Sequence, residues 1–221
     1  MDVWGEPPSS TSGWTTSVGS SYTSTCNGQT IIGGHLVFGK NDYATKTFSG
    51  LPGHNTVTIQ WDAYLIDSWD AGDGYIVKVD ETGIYSRIYL MGSNSSTNYC
   101  GVSGWSDYIY TQSKTISHNS TTLKLDFIVE VDELADNEAF GFKNVKITVD
   151  VICTPACATC FGNDITECYS CNSGWFLNGN TCMNPCPASM WGDSVSRLCK
   201  RKFNYYFKFV LFKVFISLIS L

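Results

Sequence analysis

Residues 56–80 read TVTIQWDAYLIDSWDAGDGYIVKVD, and this stretch decides the fold class. Successive side chains of a β-strand point to opposite faces, so alternating apolar residues predict a strand with one buried face. The first half of the stretch alternates in this way, with apolar residues at Val57, Ile59, Trp61, Ala63 and Leu65. An acidic, glycine-containing loop follows, and residues 75–79 then predict a second strand.

Short segments of the same kind recur along the first 152 residues. The predicted strands are 35–38, 44–48, 75–79, 85–90, 108–112, 121–133 and 140–152. In the last of them Val145, Ile147, Val149 and Val151 are predicted to face inward. Glycine-rich turns separate the segments, and no helical period precedes residue 153. The pattern predicts a mainly β protein, with an antiparallel, jelly-roll-like β-sandwich over residues 30–152. Residues 1–29, rich in Ser, Thr and Gly, are interpreted as an extended lead-in.

Charge is distributed unevenly. The whole chain carries a formal net charge of −6, and most acidic residues precede residue 153. Nucleic-acid phosphates require a basic face, so an acidic main domain argues against a nucleic-acid partner. The same acidity is compatible with binding a hard cation.

Cysteines and sequons both indicate the secretory pathway. Residues 153–199 hold eight of the ten cysteines, a density that predicts a disulfide framework in an oxidising compartment. Asn94 and Asn119 stand in N-glycosylation sequons. The predicted location is therefore extracellular or at the cell surface. The ten cysteines are Cys26, Cys100, Cys153, Cys157, Cys160, Cys168, Cys171, Cys182, Cys186 and Cys199.

The two ends of the chain give further expectations. The first residues lack the basic and apolar regions of a signal peptide. We therefore expect that a signal was removed or that the sequence begins inside a longer protein. Residues 200–221 combine a basic cluster with an apolar stretch that Lys208 and Lys213 interrupt. A spanning orientation would conflict with the positive-inside rule, which leaves membrane association open. Our hypothesis is that this tail is translated non-coding sequence or a truncation scar.

The cysteine spacing around CATC and CYSCNSGWFLNGNTC resembles the furin-like repeats of growth-factor-receptor cysteine-rich regions. The resemblance implies a small disulfide-rich repeat over residues 153–199, serving as a stalk or spacer in a secreted or surface protein. It also implies that Cys157 pairs with Cys168 and Cys160 with Cys171. A sandwich followed by such a repeat is similar, more loosely, to large cysteine-rich surface proteins of single-celled eukaryotes. The alternative is zinc binding by the two CxxC pairs.

The acidic loop is the candidate metal site. Asp67, Asp70 and Asp73 recur at spacing three, and Asp62 lies on the preceding strand. Calcium binds six to eight oxygens that flexible loops supply, so the predicted cofactor is calcium. A second acidic loop would join the site if the two loops meet. The alternative is that both are solvated turns. The second loop contains Asp132, Glu133, Asp136 and Glu138.

Aromatic residues accompany the first acidic loop. Trp69, with Tyr64 and Tyr75 close in sequence, is a candidate stacking platform for a sugar. The alternative places Trp69 as a lid on the core, where large aromatic side chains are usually found.

The sequence predicts no enzyme. His35, His54 and His118 are widely separated, His54 is interpreted as a solvated turn residue, and neither GxSxG nor HExxH occurs. The predicted function is extracellular recognition or adhesion, with a glycan or a surface protein as partner. One alternative is a structural component of an extracellular coat or filament. Another is a fragment of a polysaccharide-acting enzyme, which would need a deep cleft with facing carboxylates.

Overall fold

A computed structural model describes residues 2–4, 10–88 and 97–202, with only the backbone described at 2–4, 87 and 88. The chain forms two compact units that divide between Val151 and Ile152. Unit 1 precedes this division and unit 2 follows it. No helix in the described ranges is long and apolar enough to cross a membrane. The predicted glycosylation at Asn94 and the interpretation of the tail beyond residue 202 concern residues outside the described ranges.

Unit 1 is built from two antiparallel sheets. The first sheet has the order β3–β4–β11–β6–β9, with β1 also paired to β11, and the second has the order β2–β5–β10–β7–β8. The prediction of a mainly β, antiparallel sandwich is therefore confirmed. The strands are β1 (Asp2–Trp4), β2 (Thr15–Thr16), β3 (Thr23–Cys26), β4 (Gln29–Gly33), β5 (Tyr43–Ser49), β6 (His54–Asp67), β7 (Gly74–Val79), β8 (Thr82–Ile88), β9 (Tyr108–Ser117), β10 (Thr122–Glu130) and β11 (Glu138–Val151).

The core lies between the inward faces of the two sheets. All five alternating apolar residues of β6 are fully buried, as their spacing predicts. From the second sheet, Phe127 stacks on Phe142 of the first sheet with ring centroids 3.9 Å apart. Trp61 meets Phe127 edge-on at 5.8 Å. Each such side chain contributes roughly 1.5–3 kcal/mol by leaving water, so these aromatic contacts join the two sheets.

A β-bulge changes the side-chain phase within β11. Phe140 and Phe142 are buried at even positions, whereas Ile147 and Val149 are buried at odd positions. The pairing with β6 shifts register between residues 143 and 146, and Asn144 there has a positive φ of 54°. An extra residue in one strand allows both apolar runs to face the same core.

The N-terminal part of the sandwich differs from the prediction. Residues 35–38 form a turn instead of a strand, because Gly33 and Gly34 have positive φ and the amide of Val37 donates to the carbonyl of Gly34 over 2.9 Å. The predicted lead-in contains β1, β2 and β3, which pair with sandwich strands. These strands are short and partly rich in Ser and Thr, so hydrophobic alternation does not reveal them.

Unit 2 consists of very short strands linked by disulfides. β12 pairs with β13, and a second sheet has the order β15–β14–β17–β16. Among residues 152–202, the buried side chains are those of Ala156 and four cysteines. The strands are β12 (Cys157–Cys160), β13 (Cys168–Cys171), β14 (Phe176–Asn178), β15 (Thr181–Met183), β16 (Met190–Asp193) and β17 (Leu198–Arg201).

All ten cysteines form disulfides, so the zinc alternative is wrong. The implied Cys157–Cys168 bond is present, but the implied Cys160–Cys171 bond is wrong. In the antiparallel ladder Cys160 stands opposite Cys168 and Cys171 stands opposite Cys157. The Cys157–Cys168 bond crosses this ladder diagonally, and Cys160 and Cys171 both bond to cysteines outside it. Each pairs instead with a cysteine of an adjoining segment. The five bonds are Cys26–Cys100, Cys153–Cys160, Cys157–Cys168, Cys171–Cys182 and Cys186–Cys199.

Candidate functional site

Two acidic segments meet at one end of the sandwich. Asp70 and Asp73 lie in the loop after β6. Glu138 is the first residue of β11, and it pairs with Asp67, the last residue of β6. Carboxylate oxygens of Asp70, Asp73 and Glu138 all lie within 4.8 Å of one another. We call these three residues the carboxylate trio. Antiparallel pairing of β6 with β11 thus joins the two acidic loops through Glu138.

The trio is mostly buried, which makes its charges costly. Asp73 and Glu138 are 2% and 1% exposed, whereas Asp70 is exposed. Burial, followed by the charge and hydrogen bond of Asp73, raises the pKa of Glu138 to about 7, against the opposing hydrogen bond from the Glu133 amide. The Asp70 amide donates to Asp73 Oδ2 over 2.5 Å. A divalent cation between these oxygens would offset both the desolvation and the mutual repulsion.

Asp67 lies outside the trio and contacts a neighbouring loop, and its metal role stays a prediction. Its buried carboxylate accepts hydrogen bonds from the amide of Val102 (2.6 Å) and from Nδ1 of His35 (2.8 Å). Burial raises the pKa of Asp67, and these two partners oppose that effect. A side chain at Gly101 would collide with the Asp67 carboxylate. Asp67 therefore fixes residues 97–107, which we call the Cys100 loop.

Asp107 is the second carboxylate that holds the Cys100 loop. It is 1% exposed and accepts from the amides of Asp67 (2.9 Å), Tyr99 (2.6 Å) and Cys100 (2.7 Å). The Cys26–Cys100 disulfide attaches the same loop to β3. One buried carboxylate thus accepts from three backbone amides, which gives the loop a defined conformation.

Asp62 does not join the trio. Its Oδ1 accepts from the hydroxyl of Thr111 and its Oδ2 from the side-chain amide of Asn144, each over 2.6 Å. Both bonds lie on the outer face of the first sheet, where Asp62 sits beside the bulge of β11. The structure therefore brings together two of the four predicted metal ligands, and it adds Glu138 from the second acidic loop.

The three predicted stacking residues do not form an exposed platform. Trp69 is 6% exposed, and its indole N–H donates to the carbonyl of Ala139 over 2.9 Å. Tyr75 is fully buried and stacks on Phe140 at 4.3 Å. Tyr64 belongs to a separate small cluster on the other side of the first sheet. Because their apolar faces pack within the protein, these rings do not offer a shared surface to a sugar.

A groove of about 430 Å³ lies beside the trio, bounded by the Cys100 loop and the acidic loops. Asp70, Glu133 and Glu138 supply acidic lining, and Trp105 and Tyr108 supply aromatic lining. Trp105 is 49% exposed, and sequence reasoning missed it. The available signal was a tryptophan between Gly104 and Ser106, in a polar loop without any alternation that would place it in a core.

The histidines also lie in unexpected places. His35 pairs with Asp67, while Nε2 of His54 and Nδ1 of His118 are 2.7 Å apart. His54 is only 2% exposed, so its interpretation as a solvated turn residue is wrong. The carbonyl of Pro52 contacts its Nδ1, and the ring of His118 lies beside it at a centroid distance of 5.0 Å; together they enclose the imidazole.

The glycosylation prediction at Asn119 stays a prediction. Asn119 is exposed in the turn between β9 and β10. An acceptor asparagine must be accessible to be modified, and this position is accessible.

Comparison with known proteins assigns no family to the chain. No protein-family model matches it. A segment of 51 residues, 22% of the chain, is 41% identical to proprotein convertase subtilisin/kexin type 6 of Rattus norvegicus, and the match spans 5% of that protein. The furin-like resemblance of unit 2 therefore stays a prediction beyond its disulfide-rich structure.

Solved structures similar to the chain share little sequence with it. One is the CBM36-1 domain of a multidomain xylanase from the hindgut metagenome of Trinervitermes trinervoides, with a TM-score of 0.38, 17% identity, and coverage of 63% of this chain and 99% of that one. Another is the K1 cleaved adhesin domain of Lys-gingipain from Porphyromonas gingivalis W83, with a TM-score of 0.41, 12% identity, and coverage of 66% and 96%. At these identities and TM-scores the similarities assign no function.

Proposed function

We propose that unit 1 is an extracellular recognition module that binds a glycan in the groove, with a calcium ion held by the carboxylate trio. The observation that carries this proposal is the groove itself, where a half-exposed tryptophan lines one cavity together with Asp70 and Glu138, two members of the carboxylate trio. Unit 2 would serve as a disulfide-stabilised spacer.

Calcium fits the chemistry of the trio. Calcium prefers carboxylate and carbonyl oxygens on flexible loops, and the trio supplies three carboxylates from two segments. Without a cation, Glu138 has a pKa of about 7 because it is buried beside Asp73. Binding would keep both groups ionised and would hold β11 against the loop after β6.

A glycan fits the remainder of the groove. A volume of about 430 Å³ lies within the usual range of small-ligand sites. The exposed indole of Trp105 offers an apolar face to a sugar ring, and the carboxylates and calcium offer partners to its hydroxyls. Because two buried carboxylates and a disulfide hold the Cys100 loop, little ordering entropy is lost when a ligand binds.

The spacing of the carboxylates favours cation binding over glycoside hydrolysis. Glycosidases place two carboxyl groups about 5–9.5 Å apart, one on each side of the scissile bond. The trio oxygens lie within 4.8 Å of one another, and Asp73 and Glu138 share a hydrogen bond. This closeness supports the expectation that the protein is not an enzyme, and release of reducing ends from a bound glycan would contradict it.

Thermal unfolding of the full chain in calcium and in EDTA tests the metal site. A ligand that binds only the folded state adds RT ln(1 + [L]/Kd), about 2.7 kcal/mol at a hundredfold excess over Kd. We expect calcium to raise the melting temperature of the wild-type protein and not that of Asp73→Asn. Asp62→Asn is the matched control and should retain the calcium response. No response of the wild type at millimolar calcium would remove the metal from the proposal.

A glycan array probed with the calcium-loaded chain tests the groove. We expect binding that Trp105→Ala abolishes. Trp191→Ala is the matched control, because Trp191 of unit 2 is 47% exposed, close to the 49% of Trp105, and should not affect binding. Equal binding by the Trp105→Ala variant, or an array without any bound glycan, would contradict the proposed glycan site.

A further inference from the structure

A chain of polar contacts closes the end of the sandwich where β6 begins. Nδ1 of His54 lies 2.5 Å from the carbonyl oxygen of Pro52, and its Nε2 lies 2.7 Å from Nδ1 of His118. Nε2 of His118 lies 3.1 Å from Oδ2 of Asp80. The other oxygen of Asp80 accepts from the amide of Lys124 over 2.9 Å. Four ring nitrogens thus take part in three contacts.

These contacts determine how many protons the two rings hold. The carbonyl of Pro52 can only accept, so Nδ1 of His54 must carry a hydrogen. An ionised Asp80 also only accepts, so Nε2 of His118 must carry another. The contact between the two rings requires a third hydrogen. Two neutral imidazoles carry two hydrogens in total, and two imidazolium ions carry four, so the full set of contacts requires one proton more than the neutral pair.

The cluster also connects the two sheets. His54 begins β6 and His118 directly follows β9, both in the first sheet, whereas Asp80 lies in the turn between β7 and β8 of the second. The side chains of His54 and His118 are nearly inaccessible to water. The groove lies at the other end of β6, about 40 Å away along a strand of this length. The cluster is therefore separate from the proposed metal site.

The neighbouring charged groups do not substitute for the extra proton that the histidine pair requires. From β10, Nζ of Lys124 pairs with Glu81 (2.6 Å) and Asp126 (3.5 Å), so its charge is already compensated. From β11, Asp150 precedes Val151, the residue that pairs with His54, and is exposed. Among the described residues of β7 and β9 the remaining charged groups are Lys78 and Lys114; Lys78 acts on Glu81, and Lys114 lies over the ring of Tyr85.

We propose that His54, His118 and Asp80 form a one-proton latch between the two sheets of unit 1. With one extra proton all three contacts are hydrogen bonds. Loss of that proton leaves two acceptors facing each other in one contact. Addition of a second proton places two N–H groups opposite each other between the rings. The latch is therefore closed over an intermediate pH range and is weakened on both sides of that range.

Proton linkage gives the pH at which the latch contributes most to the stability of unit 1. Stability changes with pH in proportion to the difference in protons bound by the unfolded and folded states. Unfolded histidines titrate near pH ~6.5, so an unfolded pair binds on average one proton there, more below and fewer above. The folded pair binds one throughout its closed range. The contribution of the latch therefore rises with pH below about 6.5 and falls above it.

Chemical denaturation of the full chain from pH 5 to 8.5, at constant calcium, tests this profile. The denaturation midpoint of the wild type minus that of His118→Gln should pass through a maximum near pH ~6.5. The same difference for His35→Asn, which changes the histidine outside the latch, should show no such maximum. A flat or monotonic His118→Gln difference would overturn the proposal.

Nuclear magnetic resonance of the wild type, with ¹⁵N-labelled histidine, gives a test that needs no variant. At pH 6.5 the pair should show three protonated ring nitrogens and one unprotonated nitrogen. Two neutral rings at that pH, or two rings that titrate independently as free imidazoles do, would overturn the latch even if His118→Gln failed to fold.

Discussion

The two units of this chain are stabilised in opposite ways. Unit 1 buries a continuous apolar core between two sheets and contains one disulfide. The described part of unit 2 buries Ala156 and four cysteines, and contains four disulfides. Its strands of three or four residues are too short to enclose a core of their own. Covalent bonds therefore replace apolar burial where the elements are short.

The same contrast extends to the carboxylates. In unit 1, burial raises the pKa of Glu138 to about 7. In unit 2, hydrogen bonds from Lys200, Val195 and Ser196 lower the pKa of half-buried Asp193 to about 2. A large core thus allows carboxylates to be held away from water, where a cation would stabilise them. In the small unit, Asp193 is instead stabilised as a carboxylate by its hydrogen-bond donors.

Reduction of the disulfides should produce the largest difference in stability between the two units. We expect a strong reductant to unfold unit 2, because disulfides account for most of its buried groups, while unit 1 retains its sheets. Hydrogen–deuterium exchange with peptide resolution measures both units in one sample. Continued protection of residues 157–171 after full reduction would contradict this assignment of stability.

Truncation of a core aromatic side chain should have the next largest effect, confined to unit 1. Phe127 is fully buried and contacts Trp61 and Phe142, so Phe127→Ala should lower the unfolding free energy by about 3–5 kcal/mol. Tyr169→Ala in unit 2, where the tyrosine is 61% exposed, should change it by less than about 0.5 kcal/mol. Denaturant titration followed by tryptophan fluorescence measures both variants. A similar cost for the two variants would remove the contrast.

The pH dependence of Glu138 should be a smaller effect than the truncation of Phe127, and its sign should be opposite to that of the pH dependence of Asp193. A carboxyl whose folded pKa lies above its unfolded value binds more protons when folded, so stability falls as pH rises from about 4.5 to about 7. In EDTA, the unfolding free energy of the wild type relative to Glu138→Gln should fall by about 3 kcal/mol over this range.

The pH dependence of Asp193 and the effect of added calcium provide two comparisons for the pH profile of Glu138. The pKa of Asp193 is lowered from 3.8 to about 2, so its contribution is present above pH 3.8 and is lost as pH falls through about 2. The proposed calcium ion would bind the ionised form of Glu138, so added calcium should remove the decline between pH 4.5 and 7. An EDTA profile for the Glu138→Gln difference that rises with pH would contradict the buried position of this carboxyl.

Substitution of turn glycines by alanine should have the smallest effect on stability, and this effect should be about equal in the two units. Gly28 and Gly174 have φ of 70° and 86°, with open space where a Cβ would lie. Gly28→Ala and Gly174→Ala should each cost about 1 kcal/mol, because only left-handed backbone strain is added. Gly83→Ala is the control, since its φ is not positive and its surroundings are also open. Thermal melts of the three variants measure this, and a cost at Gly83 equal to the others would contradict it.

The sequence alone determined the fold class of unit 1 and the chemical character of unit 2. Alternation in β6 and β10 specified which residues face the core, because a strand has a period of two. The cysteine density specified a disulfide framework. Alternation did not reveal the strands before residue 30, since pairing with neighbours and not apolar spacing holds them.

Only the tertiary structure decided which of these residues act together. Periodicity reports the face of a residue and not its neighbour across space, so it could not show that Glu138 completes a trio with Asp70 and Asp73. Nor could it show that Asp67 serves the backbone of the Cys100 loop, or that Trp105 lines the groove. Strand register, loop closure and burial determine these relations, and each depends on contacts between segments far apart in the chain.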